Sequence, residues 1–284
     1  MTAFKHILFP VDFSEPCIAF LPFVKRMADR FGARATALHA INETAMPIGP
    51  NVGMVQAPED YQTVREAIVE RLKALSGPVS PGITGVCEPG DSASVVREYV
   101  QSHGVDLIMM PTHGYGSFRR LLLGSLTAKV LHDVECPVWT AAHTDDPRLL
   151  AHTDCKSVVC AVEHNEEGLD VLKRATDLAQ TLGASLCLLH AAPVMDGIIF
   201  ADDDPREVRN VRRGEIAKMQ RDAGTAFEAI VESKEIGELV HQVATSRNAD
   251  LVVIGRGKLQ KGFGRLLTRA YDIVRESPCP VLSL

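Results

Sequence analysis

The chain repeats itself. "KHILFPVDFSE" from Lys5 is answered by "KSVVCAVEHNE" from Lys156, and "FGARATALHAI" from Phe31 by "LGASLCLLHAA" from Leu182. Lys5 and Lys156, like His39 and His190, stand 151 residues apart. Later, "VDLIMMPTHG" from Val105 is echoed by "ADLVVIGRG" from Ala249, and "ECPVWT" from Glu135 by "PCPVLS" from Pro278. A period this long is too large for a solenoid unit and means a duplicated domain. The polar, proline-containing stretch "HTDDPRLLAHTD", 143–154, reads as the connector. Two domains are therefore expected, 1–146 and 147–284.

Each half alternates strand and helix patterns. Lys5–Val11 is an apolar run, and 16–31 carries Leu21, Val24, Ala28 and Phe31 at helical steps. Strands are predicted at 35–41, 84–88, 107–110 and 137–141, with helices at 60–75, 92–103 and 125–134 between them. Continuous apolar strands such as "LIMM" and "LVVI" are buried on both faces, which requires a parallel sheet covered by helices. Right-handed crossovers then give a doubly wound α/β fold. The expectation is two tandem doubly wound domains, each with a five-stranded parallel sheet. The apolar final strands, otherwise unpaired, are expected to join the halves as a pseudo-dimer.

Composition narrows the function classes. The formal net charge of −6 provides no concentrated basic face, so no nucleic-acid partner is expected. No apolar run approaches the roughly 18–20 residues of a membrane span, and the start lacks a signal-type core. A cytoplasmic protein without a membrane partner is the expectation. Seven cysteines, with no C-x-x-C, suit a reducing compartment. His152, Cys155, Cys160 and His164 are metal-type ligands, but an intervening strand would hold Cys155 and His164 roughly 30 Å apart at about 3.3 Å per residue. No metal site is expected there.

The stretch "PTHGYGSFRRLLLGSLT", 111–127, lies between a buried strand and a helix. Such a small-residue loop either holds an anion with backbone N–H groups and a helix N-terminus or is a tight surface turn. In doubly wound folds ligands sit beyond the carboxyl ends of the strands, where strand order reverses. "PVDFSE", "HAI" and this loop all fall at such ends. A carboxylate (Asp12), a small backbone edge (Ala40) and an N–H-rich loop in one crevice suit the ribose, base and phosphates of an adenine nucleotide.

These motifs closely resemble the universal stress protein family, twice and over nearly the whole chain. The family's loop pattern is G-x2-G-x9-G-[S/T]; here Pro111, Gly114, Gly124 and Ser125 occupy its positions, with proline replacing the first glycine. "FPVDFSE", "LHAI", "LLLGS" and "CPV" carry the rest of the likeness. The resemblance implies a Rossmann-like fold of the adenine nucleotide alpha hydrolase type. It also implies ATP binding, with Mg²⁺ carried through the phosphates, and further homodimerisation. Pro10 and Asp12 would lie near base and ribose, and Ala40 at the adenine edge. Thr112, His113, Gly114, Tyr115, Gly116 and Ser117, with Ser125, Leu126 and Thr127 after Gly124, would hold the phosphates. Pro111 has no N–H and fixes φ near −65°, which weakens binding if that glycine donates to phosphate.

The second half departs further. Glu163 answers Asp12, Gly255 and Gly257 are spaced one residue too closely, and Leu267 precedes Thr268 where the family has glycine. Closure of the second pocket is expected. Arg119 and Arg120 read as a solvated helix face, His39 and His190 as packing residues, and the apolar segment 45–58 as an interface. Three function classes remain: a stress-linked regulatory module whose nucleotide alters a surface or an oligomer, a slow ATPase or nucleotidyl transferase, and a structural homo-oligomer that has lost the nucleotide. No GxxxxGK[ST] lysine, evident general base or nucleophile constellation accompanies the loop, which favours the module.

Overall fold

The computed structural model describes residues 4–41, 58–76, 83–113, 123–142, 155–192, 205–256 and 265–284. In the first half the chain runs β1 (His6–Pro10), α1 (Glu15–Phe31), β2 (Arg34–Ile41), α2 (Pro58–Ser76), β3 (Ile83–Pro89), α3 (Ser92–His103), β4 (Leu107–Met110), α4 (Ser125–Asp133) and β5 (Val138–Thr140). The second half repeats it as β6 (Ser157–Ala161), α5 (Glu166–Leu182), β7 (Ser185–Ala191), α6 (Pro205–Asp222), β8 (Glu228–Glu232), α7 (Ile236–Ser246), β9 (Leu251–Ile254), α8 (Arg265–Glu276) and β10 (Val281–Ser283).

The duplication reaches the helix ends. Ser14 caps α1 by accepting from the Cys17 N–H, and Gly32 closes it in the left-handed conformation (φ 63°). Asn165 caps α5 by accepting from the Gly168 N–H, and Gly183 closes it at φ 61°. Both helices end where a residue without Cβ accepts the left-handed turn at no steric cost. One asymmetry matters. A Cβ on Gly168 would lie 1.8 Å from the Glu163 carbonyl oxygen, so only glycine fits where α5 presses on the turn after β6.

Strand order is 3-2-1-4 around β1, with β1 parallel to both β2 and β4. The chain moves outward through β2 and β3, then returns to β4 on the other side of β1. That reversal makes the fold doubly wound and creates a crevice beyond the carboxyl ends of β1 and β4. β6, between β7 and β9, repeats the arrangement.

The expectation of two separate five-stranded sheets is corrected. Hydrogen-bonded order is continuous, β3-β2-β1-β4-β5-β10-β9-β6-β7-β8. The boundary between the two compact units falls inside β5, between Val138 and Trp139, so Trp139 and Thr140 belong with 141–284. There the Thr140 hydroxyl donates to the Val281 carbonyl at 3.3 Å. The three residues of β5 are all buried, and an edge strand of that composition would leave backbone groups unpaired. Below, the N-terminal unit is Phe4–Tyr115 with Gly124–Val138, and the C-terminal unit is built on Trp139–Leu284.

In the N-terminal unit Phe9, Phe20 and Phe23 pack into one cluster of fully buried rings. At the opposite end of β1 the carboxylate of Asp106 accepts from the Lys5 and His6 N–H groups. His6 is buried there, with Nε2 2.9 Å from the Thr36 hydroxyl and Nδ1 3.1 Å from the His103 carbonyl. Burial, with the Arg34 guanidinium nearby, holds its pKa below 6.5, although the His103 hydrogen bond opposes this. The unfolded chain therefore takes up a proton before the folded one. Stability falls as pH drops from above 6.5 toward the folded-state pKa. His6→Asn should flatten this part of the urea-midpoint profile between pH 7.5 and 5; a variant as steep as the wild type would refute the linkage.

Candidate functional site

In the N-terminal unit the crevice is built from three strand ends. Beyond β1, Asp12 is exposed, and its Oδ1 accepts from the Ser14 N–H at 2.9 Å, which fixes the carboxylate at the mouth of the turn. Phe13 between them adopts φ 61°, a left-handed conformation that costs a residue with a Cβ roughly 1–2 kcal/mol. Its ring compensates. The ring lies 5.1 Å from the His39 ring, and the Arg71 guanidinium of α2 sits 4.0 Å above its centroid. His39 Nδ1 donates to the Val11 carbonyl at 2.6 Å. His190 Nδ1 likewise donates to the Val162 carbonyl at 2.8 Å, so both histidines bridge neighbouring strand ends in addition to packing.

Beyond β4, two bonds tie the strand end to the start of α4. The Gly124 N–H donates to the Thr112 carbonyl at 2.8 Å, and the Thr127 hydroxyl donates to the Pro111 carbonyl at 3.1 Å. A Cβ on Gly124 would stand 3.2 Å from that Thr112 oxygen, so glycine serves this close approach. The Gly124 N–H is thus engaged within the fold. Thr112 and Thr127 are 1% and 2% exposed and face inward. Ser125 is exposed, and α4 has no side-chain cap. The N–H groups of Ser125, Leu126 and Thr127 precede the first intrahelical bond, Ala128 N–H to the Gly124 carbonyl at 2.9 Å. They form an open helix N-terminus whose dipole favours an anion.

Asp12, half-buried Ala40, His113 and the start of α4 thus meet the ends of adjacent strands. Pro10 is buried and backs the turn. Gly114, Tyr115, Gly116, Ser117, Arg119 and Arg120, and the segment 45–57, lie outside the described residues. Cys17 is in the first turn of α1, where thiolates are favoured, but burial pushes its pKa up to about 12 and removes it as a nucleophile. No group of three His, Cys, Asp or Glu among the described residues is arranged to hold a metal. Sequence reasoning missed the Arg71–Phe13–His39 stack, because neither positive φ nor the approach of α2 is encoded locally.

The family assignment can now be made on sequence and geometry together. The universal stress protein family model matches residues 3–141 and again 155–284. The chain belongs to the universal stress protein family. Two universal stress proteins of Methanocaldococcus jannaschii are 25% and 26% identical to it over 142 and 151 residues, each covering 48% of this chain and 80% and 93% of their own lengths. A crystal structure of a universal stress protein from Archaeoglobus fulgidus superposes with a TM-score of 0.63 at 21% identity, over 98% of this chain and 95% of that one. One from Pseudomonas aeruginosa, described as a putative universal stress protein, reaches 0.66 at 17% identity, over 99% and 93%. At such identities these structures establish the fold.

The second copy of this universal stress protein corrects the expectation of a closed pocket. A cavity of about 170 Å³ stands at the ends of β6, β7 and β9. α8 is already helical at Arg265, so Leu267 lies within the helix, not at its cap. Small residues, among them Ala161, Ala191, Ala192 and Gly255, keep the space open.

The Phe13 stack yields a prediction. Phe13→Leu keeps the backbone strain and loses the ring contacts, worth about 0.5–1.5 kcal/mol for the aromatic pair and about 0.5–1 for an exposed cation–π contact. Phe13→Gly loses the same contacts but relieves the strain. Glycine should therefore destabilise less than leucine in urea unfolding, and the reverse order would remove strain from the account.

Proposed function

We propose that this universal stress protein is a regulatory module that binds ATP, as its Mg²⁺ complex, in the N-terminal domain with little or no turnover. The observation that carries the reading is the pairing of an exposed, hydrogen-bond-oriented Asp12 with the open N-terminus of α4 on adjacent strands. Asp12 would accept from the ribose hydroxyls, and Ala40 would pass the base along a backbone edge. Ser125, Leu126 and Thr127 would donate to phosphate, and the 114–117 segment would complete the cradle. Mg²⁺ would be carried by the phosphates.

Asp12 spends one oxygen on its own turn, an arrangement for fixing a ribose and not for activating water. The sequence has no lysine of the GxxxxGK[ST] type to stabilise transition-state charge on the γ-phosphate. Turnover should stay below roughly 0.01 per second, against a typical enzyme median near 10. The reading includes a cytoplasmic protein and further homodimerisation.

Calorimetric titration with Mg²⁺-ATP tests the reading, supported by mass spectrometry of small molecules released from gently purified protein. One site per chain is expected. Asp12→Ala should weaken binding by about 1.5–3 kcal/mol, roughly tenfold to a hundredfold, as for a lost hydrogen bond to a charged group. Gly124→Leu should abolish binding, but it also strains the Thr112 contact. Ser125→Pro, which removes one donor at a helix position that tolerates proline, is the cleaner phosphate test. No binding by the wild type, or robust multiple turnover lost with Asp12, would overturn the proposal.

A further inference from the structure

The stack of Arg71, Phe13 and His39 has a use beyond stability. Phe13 and Asn248 are the non-glycine residues at positive φ among those described, and Phe13 directly follows Asp12. Because Asp12 Oδ1 accepts from the N–H two residues on, the backbone of Phe13 lies inside the hydrogen-bonded turn that aims the carboxylate. We infer that Arg71 of α2 is a positioning residue for the nucleotide site: its guanidinium holds the Phe13 ring, the ring holds the strained turn, and the turn keeps Asp12 directed at the ribose. This role rests on the nucleotide reading above for its ligand, but the geometry of the turn does not.

Asp12 is clamped from both sides. Before it, the Val11 N–H donates to the Leu38 carbonyl at 2.8 Å, and the Val11 carbonyl accepts from His39 Nδ1 at 2.6 Å. After it, the Phe13 ring has the His39 ring at 5.1 Å and the Arg71 guanidinium 4.0 Å from its centroid. Of these groups, Arg71 is the one carried by a helix. That helix is docked close by. Leu72 is buried on β3, where a Cβ on Gly85 would stand 2.7 Å from the Leu72 Cβ, and the Leu75 carbonyl accepts from Lys25 Nζ of α1 at 3.1 Å. A group mounted on a docked helix holds its target more closely than one on a loop. The second copy makes the same kind of contact with different chemistry. His164 answers Phe13, and Glu215 of α6 reaches it, with Oε2 3.5 Å from His164 Nδ1 and 2.7 Å from Arg212 Nη1. In each half, the second helix braces the residue that follows the acidic one.

The test uses the full chain, titrated calorimetrically with adenosine, ADP, Mg²⁺-ATP and 2′,3′-dideoxy-ATP. Arg71 is exposed, so Arg71→Ala leaves the core intact. It should weaken adenosine, ADP and ATP by one common factor of roughly two- to fivefold, the size of an exposed cation–π contact. Dideoxy-ATP, which lacks both ribose hydroxyls, should lose nothing. Phe13→Leu should weaken the same three ligands, and adding Arg71→Ala to it should have no further effect. Arg71→Lys, which keeps a cation within reach of the ring, should recover part of the loss, and Arg71→Gln none. A second readout needs no ligand: in Arg71→Ala the NMR resonance of the Ser14 amide, which donates to Asp12, should move part-way to its position in Asp12→Ala. A loss that grows with the number of phosphates would make Arg71 a counter-ion and overturn the role. An equal loss for dideoxy-ATP, or an unmoved Ser14 amide, would also overturn it. If the wild type binds none of these ligands, the nucleotide reading fails, and the Ser14 resonance alone decides whether Arg71 aims Asp12.

Discussion

The ends of the central strands organise everything else. β1 and β6 are flanked by parallel neighbours on both sides, so their mid-strand backbone groups are satisfied by the ladders. What remains is the set of groups just past each ladder, where a buried unpaired N–H or C=O would cost about 1–3 kcal/mol. Asp106 and Asp250 meet the first of these, each accepting from the two N–H groups that open the strand. His39 and His190 meet the last, each donating to the carbonyl that follows it. The same solution appears twice because the duplicated chain faces the same problem twice.

Once the exits of β1 and β6 are fixed, the next three residues decide the chemistry. In the first copy Asp12-Phe13-Ser14 makes a turn with positive φ, held by a ring stack, and the carboxylate is left at the surface. In the second, Glu163-His164-Asn165 lies under α5 at Gly168, with the longer carboxylate bound to the asparagine. The helix that follows β4 is opened by glycine at its cap, whereas α8 is helical through the corresponding residues.

Much of this was legible in the sequence, for physical reasons that are local. The 151-residue offset and the short apolar strands are readable directly in the sequence, and they yielded the duplicated doubly wound fold. Asp12, Ala40 and Ser125 were placed at strand ends by the same logic. The errors are non-local. The neighbouring of β5 and β10 follows the expectation for the two final strands, whereas the expectation of a five-stranded sheet in each half does not hold. Closure was inferred from Leu267 and the shortened glycine spacing, yet Leu267 lies within α8 and a cavity stands at the strand ends. The contact of the Gly124 N–H with the Thr112 carbonyl is likewise set by how β4 and α4 meet, which no local pattern carries.

That last contact also bears on Pro111, the departure that most threatened the nucleotide reading. Proline removes an N–H and keeps a carbonyl. In the folded chain it is the carbonyls of Pro111 and Thr112 that hold α4, through the Thr127 hydroxyl and the Gly124 N–H. Both acceptors survive the replacement of glycine. The fixed φ of proline further narrows the approach to those acceptors, which holds the N-terminus of α4 in register with the end of β4. A helix N-terminus attracts an anion only within its first turn, so an error of one residue in its position would remove the effect. Proline at this position therefore trades one potential donor for a better-defined direction of the three that remain at Ser125, Leu126 and Thr127.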